Sequence, residues 1–220
     1  ENFDIFRDKG IEGIIGKEDL EVNLSKIKEQ IDNILGQKQD LGKGKINIHL
    51  FSDRSEYEKF LKQKFPNRFE AYVKDNAIFD QNPQTLEKTI ANYTPTMLSE
   101  QDRQKAREYG MDVKDAEGMV TQIARANILS GVAHEMTHLH PFFGGVGNVA
   151  SPTKWEQEMV CEFVGEKVRT QQGNQEFRQK IFEQAQHQLE GQNELDLEKD
   201  GNNWEKFDAY ERFFYPYLEK

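Results

Sequence analysis

An unbroken helical pattern occupies the middle of this 220-residue chain, from about Ala116 to His140. Apolar residues recur there every three or four positions and therefore share one face of a helix: Met119, Ile123, Ala126, Ala133 and Met136. Further helices are predicted at about 153–171, 174–190 and 204–218. The carboxyl-terminal half is therefore expected to be mostly helical.

The amino-terminal half carries a mixed pattern. Apolar and polar residues alternate over Lys45–Phe51, which predicts a strand. Other elements are predicted nearby: helices at about 19–36, 54–65 and 99–110, and short strands at 71–73 and 77–79. Residues 1–18 are interpreted as an irregular lead-in, and residues 81–98 show no clear pattern. The order of elements predicts an α+β protein with a small mixed sheet in its first half.

The domain division that follows from this order is simple. Residues 1–44 are expected to form a helical lead-in, and residues 45–220 the main domain. The pattern also allows one continuous domain.

Composition narrows the classes of partner. The formal net charge is −10 and the pI is about 5.1, so the surface repels phosphate backbones and nucleic acid is not expected as a partner. No apolar run approaches the roughly 20 residues that cross a bilayer, so no membrane segment is expected. The single cysteine, Cys161, can form no disulfide within the chain. The chain starts at Glu1; removal of a signal segment would favour a secreted or cell-envelope location, and the compartment is otherwise open.

The long helix contains the sequence His134-Glu135-Met136-Thr137-His138. Residues four apart lie on the same helix face, so both imidazoles can bind one Zn²⁺. The Glu135 carboxylate would stand beside the ion, where it can take a proton from water. This HExxH arrangement is typical of metalloproteases. Two solvated or core histidines on a helix would give the same five residues.

A zinc ion with two histidines needs a third protein ligand and an open position for water. Glu158 lies 20 residues after His138 and can be that ligand. Glu162 follows one helical turn later, where it can accept the outer ring N–H of a ligand histidine. Glu162 and Glu156 remain alternative ligands.

The two segments together resemble the gluzincin metallopeptidases, meaning thermolysin-like enzymes and, more closely, the bacterial peptidase MA-like group. That group pairs HExxH with a helix of the form W-x-x-E-x-x-x-E-aromatic, which this chain matches at Trp155, Glu158, Glu162 and Phe163. The resemblance implies a zincin-like fold and one catalytic Zn²⁺ bound by His134, His138 and Glu158. Met159 stands where the family usually has glycine. The metzincin pattern is excluded, because Pro141 and Gly144 replace its glycine and histidine.

Two further site assignments follow from the resemblance. The segment Asn76-Ala77-Ile78-Phe79 is similar to the edge strand on which thermolysin-like enzymes bind a peptide, so Asn76 and Ala77 are expected to bind substrate. Gluzincins often supply a tyrosine or histidine to stabilise the oxyanion, and Tyr210 is the expected donor. Tyr215, Tyr217, His140 and His187 are alternatives.

The predicted function is zinc-dependent hydrolysis of peptide bonds, with Glu135 as general base and then general acid. The partner would be a peptide or protein substrate. The alternative is a catalytically silent zincin-fold protein that binds a peptide or protein. Calcium is not expected, because the acidic run 196–201 has Phe207 where a calcium loop needs its closing acid. Cleavage specificity and oligomeric state are not predicted.

Overall fold

The computed structural model describes residues 3–36, 45–82, 85, 87–108, 110, 112–140 and 154–171. Its elements in chain order are β1 (Phe3–Arg7), α1 (Lys9–Glu12), α2 (Lys17–Leu35), β2 (Ile46–Phe51), α3 (Arg54–Lys64), α4 (Phe69–Tyr72), β3 (Ala77–Gln81), β4 (Lys88–Tyr93), α5 (Glu100–Glu108), α6 (Val113–His138) and α7 (Lys154–Gln171). The helices predicted at 174–190 and 204–218 lie outside the described residues.

The four strands form one mixed sheet in the order β1-β2-β4-β3. β1 and β4 both run parallel to β2, while β3 pairs antiparallel with β4 and forms one edge. Helices make up most of the rest of the described chain. The predicted α+β class with a small mixed sheet is confirmed.

The main core lies between the sheet and the helices α2, α6 and α7. β2 alternates as predicted, with Ile46, Ile48 and Leu50 fully buried on the core side. The predicted apolar stripe of α2 meets the same core through Leu20, Leu24, Ile27 and Ile31. Each such side chain stabilises the fold by roughly 1.5–3 kcal/mol through burial.

A second, smaller core lies on the other face of the sheet, under α3 and α4. Tyr57 and Leu61 of α3 pack there against Ile78 and Ala91. Aromatic side chains surround them: Phe51, Phe60, Phe65, Phe69, Tyr72 and Tyr93. The side chain of Asp53 caps α3 by accepting from Ser55 N and Glu56 N.

Two local predictions were wrong, and one segment without a prediction contains a strand. Residues 3–7, interpreted as irregular, form β1, because Phe3 and Ile5 pack against the main core while the backbone pairs with β2. The predicted strand at 71–73 is instead the end of the single-turn helix α4, whose Phe69 and Tyr72 are spaced to reach the second core. Residues 81–98 contain β4, a central strand buried on both faces, so its sequence does not alternate.

Two glycines allow α6 to approach its neighbours closely. A Cβ atom at Gly131 would lie 2.3 Å from Nδ2 of Asn92 on β4. A Cβ atom at Gly165 of α7 would lie 3.1 Å from the carbonyl oxygen of Ser130 on α6. Gly131 therefore allows α6 to lie close to β4, and Gly165 allows α7 to lie close to α6, just before the HExxH segment.

Among the helices that the structure describes, none has the length and apolar character needed to cross a membrane.

Candidate metal centre

The HExxH segment occupies the last turns of α6, the helix most deeply inserted in the core. Ile128, Leu129, Val132, Ala133 and Met136 are all buried there, which fixes the rotation of the helix. His134 and His138 are then both directed toward α7, and their Nε2 atoms lie 3.3 Å apart. Because the helix is fixed on its other faces, the two imidazoles are held in place by packing.

Glu158 of α7 completes a nearly equilateral triangle with the histidines. Its Oε2 atom lies 3.3 Å from Nε2 of His134 and 3.3 Å from Nε2 of His138. Tetrahedral Zn²⁺ with bonds of about 2.0–2.1 Å would hold its ligand atoms about 3.3–3.4 Å from one another. The three donor atoms therefore have both the chemistry and the spacing to hold such an ion, with one position left for water or substrate.

Glu162 lies one turn further along α7 and contacts the other side of the same imidazole. Its Oε2 atom is 3.2 Å from Nδ1 of His134. A carboxylate at this nitrogen fixes the ring orientation and directs Nε2 toward the metal position. The structure thus places Glu158 and Glu162 at different atoms of His134.

Hydrogen bonds among these side chains shift the pKa values of Glu158 and His134 in opposite directions. Burial raises the pKa of the Glu158 carboxyl, but hydrogen bonds with His134 and His138 outweigh that and hold its pKa well below the usual range. Burial likewise lowers the pKa of His134, and the hydrogen bonds to Glu158 and Glu162 raise it well above its ordinary value. The Glu158 carboxyl is therefore stabilised in its anionic form.

Glu135 projects into the same pocket from α6 and is only 7% exposed. Burial raises the pKa of its carboxyl, an effect that the two histidines oppose. A carboxylate with a raised pKa is a stronger proton acceptor, which suits general-base chemistry near neutral pH.

A pocket of about 800 Å³ opens directly over the triangle of ligand atoms. The pocket is lined by α4, β3 and α6, and α7 contributes Glu158. The lining residues from the first half of the chain are Ala71, Tyr72, Lys74, Asp75, Ala77, Ile78 and Phe79. A groove rather than a closed cavity results, with an edge strand along one side.

The pairing of β3 leaves half of its backbone groups directed at this groove. Tyr93 N donates to Asn76 O at 2.6 Å, and Asn82 N donates to Glu87 O at 2.8 Å. The backbone N–H and C=O groups of the even-numbered residues of β3 therefore point toward β4. The N–H and C=O groups of Ala77 and Phe79 therefore point to the open side. Asn76 differs from Ala77: its Oδ1 accepts from Arg54 at 3.0 Å, outside the pocket lining.

Sequence reasoning missed Tyr72, Lys74 and Asp75, which line the pocket. They lie directly before Asn76 and Ala77, which were expected to bind substrate. Their position next to that segment was the one indication of their location that the sequence offered. Tyr72 had been placed in the predicted strand 71–73, which is helical in the structure.

The remaining candidates are separate from the pocket or cannot be placed. The side chain of His140 is fully buried and its Nε2 lies 3.9 Å from Oδ1 of Asp32 on α2, away from the triangle. Cys161 is fully buried. Tyr210, His187, Tyr215, Tyr217 and the acidic run 196–201 lie outside the described residues.

Comparison with family models, with characterised proteins and with solved structures finds no match to this chain. Its function is therefore inferred from the residues and geometry of the site.

Proposed function

We propose that this protein is a zinc-dependent peptidase of the gluzincin type, with His134, His138 and Glu158 as the metal ligands. The observation that carries the proposal is the triangle of donor atoms with edges of 3.3 Å. Two imidazoles and one carboxylate form the ligand set of open catalytic zinc sites, whereas structural sites are closed by four protein ligands.

The chemistry that zinc supplies when bound is that of a Lewis acid, which makes water a competent nucleophile near neutral pH. Glu135 accepts a proton from the attacking water, for which its buried position and raised pKa suit it. The same carboxyl group then donates this proton to the leaving amine nitrogen. Glu162 keeps His134 in the orientation that its ligand role requires.

The substrate is a peptide in extended conformation, bound along β3. The backbone groups of Ala77 and Phe79 are directed at the open edge and can pair with it as an added strand. The pocket lies between this edge and Glu135, so a peptide paired there presents a carbonyl to the metal position.

A zincin-like fold accounts for the arrangement of these parts. The edge strand is antiparallel to its neighbour, the HExxH helix packs against β3 and β4, and the helix carrying Glu158 packs against the HExxH helix. The family resemblance of the two motifs supports the same assignment.

The test is cleavage of a mixed peptide library by the zinc-loaded protein and by its Glu135→Gln variant. We expect the variant to retain zinc and to lose at least about a hundredfold in cleavage rate, the usual contribution of a general base. Glu117→Gln is the matched control, because Glu117 lies on the same helix and its side chain is 46% exposed. It should cleave at the parent rate.

Zinc bound by both proteins with no cleavage by the parent would contradict the proposal. That result would favour the alternative of a catalytically silent protein that binds peptides. Absence of zinc from the parent would show that the ligand assignment itself is wrong.

A further inference from the structure

The turn from Val73 to Asn76 links α4 to the edge strand β3. Two of its residues, Lys74 and Asp75, line the pocket, and Ala77 follows at once. The position of this turn therefore sets where the open edge of β3 begins relative to His134 and Glu135.

Arg54, at the start of α3, binds this turn at two points. Its guanidinium donates one hydrogen bond to the carbonyl oxygen of Val73 and another, of 3.0 Å, to Oδ1 of Asn76. The donors are different nitrogens of one rigid, planar group, so the spacing between the two acceptors is fixed. The contact thus spans the turn from its first residue to its last.

Tyr57 and Tyr93 contact both the Arg54 guanidinium and the turn that it binds. The guanidinium carbon lies 5.3 Å from the ring centres of Tyr57 and Tyr93. The Tyr57 hydroxyl donates to the carbonyl oxygen of Asp75 at 3.1 Å, and Tyr93 N donates to that of Asn76 at 2.6 Å. The carbonyl oxygens of Val73, Asp75 and Asn76 are therefore bound by two side chains, those of Arg54 and Tyr57, and by the backbone N–H of Tyr93.

We propose that Arg54 is a positioning residue for peptide binding, which acts through the turn 73–76 on the open edge of β3. This inference rests on the proposed function, because it concerns how the same groove takes its peptide. Arg54 is not among the residues that line the pocket, and we do not assign it a catalytic role. Its loss would leave zinc binding intact and weaken the binding of extended peptides.

Arg54→Gln tests the proposal by steady-state kinetics on a peptide that the parent cleaves. We expect KM to rise about tenfold or more, the effect of losing a charge-assisted hydrogen bond, with kcat changed by less than about threefold. Arg54→Lys should recover part of the loss, since an ammonium keeps the charge but cannot span both acceptors. Glu58→Gln is the matched control: it removes the 2.9 Å ion pair of Arg54 Nε but leaves the turn contacts, so KM should stay at the parent value.

A second readout does not depend on activity. Amide hydrogen exchange of Asp75 and Tyr93 should be about tenfold faster in Arg54→Gln, because both amides donate within or onto the turn. Exchange in α6 and zinc stoichiometry should not change. Tyr57→Phe keeps the ring and removes one bond to the turn, so it should produce a smaller effect at the same amides.

The outcomes separate this inference from the proposed function. Unchanged KM in Arg54→Gln, with an active parent, would overturn the inference alone, as would faster exchange spread evenly over α6 and the sheet. A parent that cleaves no peptide would overturn the proposed function. In that case the exchange data alone decide: an effect confined to Asp75 and Tyr93 supports the positioning role, and no effect refutes it.

Discussion

Glu158 and Glu162 lie one helical turn apart on α7, yet they contact different nitrogens of His134. The Oε2 atom of Glu158 lies 3.3 Å from both Nε2 atoms, whereas Oε2 of Glu162 lies 3.2 Å from Nδ1 of His134. In the proposed metal centre the two glutamates would therefore have different roles, Glu158 as ligand and Glu162 as orienting acceptor. Replacing Glu158 and replacing Glu162 should therefore lower the zinc affinity by different amounts.

We predict an order of zinc affinity among glutamine variants of α7. Glu162→Gln should lower the affinity about 10–100-fold, the usual effect of removing an orienting partner, and Glu158→Gln should lower it further. Competition with a chromophoric chelator measures both. Glu166→Gln is the control, because Glu166 lies one turn further along the same helix and pairs with Arg169 at 2.6 Å. Equal losses in the first two variants would contradict the assignment.

A second prediction concerns His49, which lies between the rings of Phe6 and Phe60 on the outer face of the sheet. Burial, with a smaller effect of Lys64, lowers its pKa to about 4, while Glu87 opposes this. The folded state thus prefers neutral His49. Its contribution is complete above the unfolded pKa of about 6.5 and is lost as the pH falls from about 6.5 to about 4.

His49→Phe should remove this dependence. The free energy of unfolding of the parent should fall relative to the variant by about 1–2 kcal/mol over that window, less than the full shift implies because solvent reaches part of the ring. Urea denaturation of both zinc-loaded proteins at pH 7 and pH 4.5 measures the difference. Parallel pH profiles would show that His49 does not titrate in this way.

At the scale of elements, the site depends on how closely α6 packs on both sides. Gly131 faces β4 and Gly165 of α7 faces Ser130 and His134, so the two contacts meet within four residues of the HExxH segment. A side chain at either place would push the metal ligands relative to the edge strand or to Glu158. The glycines are therefore part of what positions the site.

Gly131→Ala should destabilise the fold by about 1–3 kcal/mol, because its Cβ atom would meet the Asn92 side chain at 2.3 Å. Gly118→Ala, on the same helix with nothing within 4 Å of the added atom, should instead stabilise it by about 0.5–1 kcal/mol. Thermal denaturation of the two variants measures both signs. A neutral Gly131→Ala would mean that Asn92 moves aside freely.

The sequence predicted those elements whose pattern is periodic and bounded. β2 alternates and α2 repeats every three or four residues, so each was placed within about two residues of its observed limits. β4 is buried on both faces and β1 is short, so neither could be recognised from alternation. The HExxH segment could be recognised in the sequence because two histidines that bind one ion from a helix must lie four residues apart. Glu158 could be recognised because its motif resembles that of the gluzincins. Arg54 was not, since its role depends on the tertiary contact with Val73 and Asn76.

At the scale of the whole molecule, the candidate metal centre joins the two helices that make the most extensive contact in the described chain, α6 and α7. Two ligands come from the first and one from the second. A metal ion bound only by the folded protein stabilises it by mass action. Zinc should therefore stabilise the packing of α6 against α7, in addition to its role in the proposed reaction.

Removal of zinc by a chelator should lower Tm, and the loss should disappear in His138→Gln. Free zinc at about 1,000 times Kd would add about 4 kcal/mol to the free energy of unfolding. Thermal denaturation over a zinc titration measures the effect, with Glu135→Gln as the variant that keeps the response. A Tm independent of zinc in the parent would contradict the centre proposed here.

The open edge of β3 has a consequence for the protein in concentrated solution. Many proteins protect exposed edges with lysine, proline or a covering loop, whereas an edge left open, as the proposed peptide binding requires of β3, can also accept a strand from a second molecule. With a net charge of −10 the molecules repel one another at neutral pH, and this repulsion vanishes near the pI of about 5.1. Self-association at that pH should therefore begin at β3, and a peptide occupying the groove should suppress it.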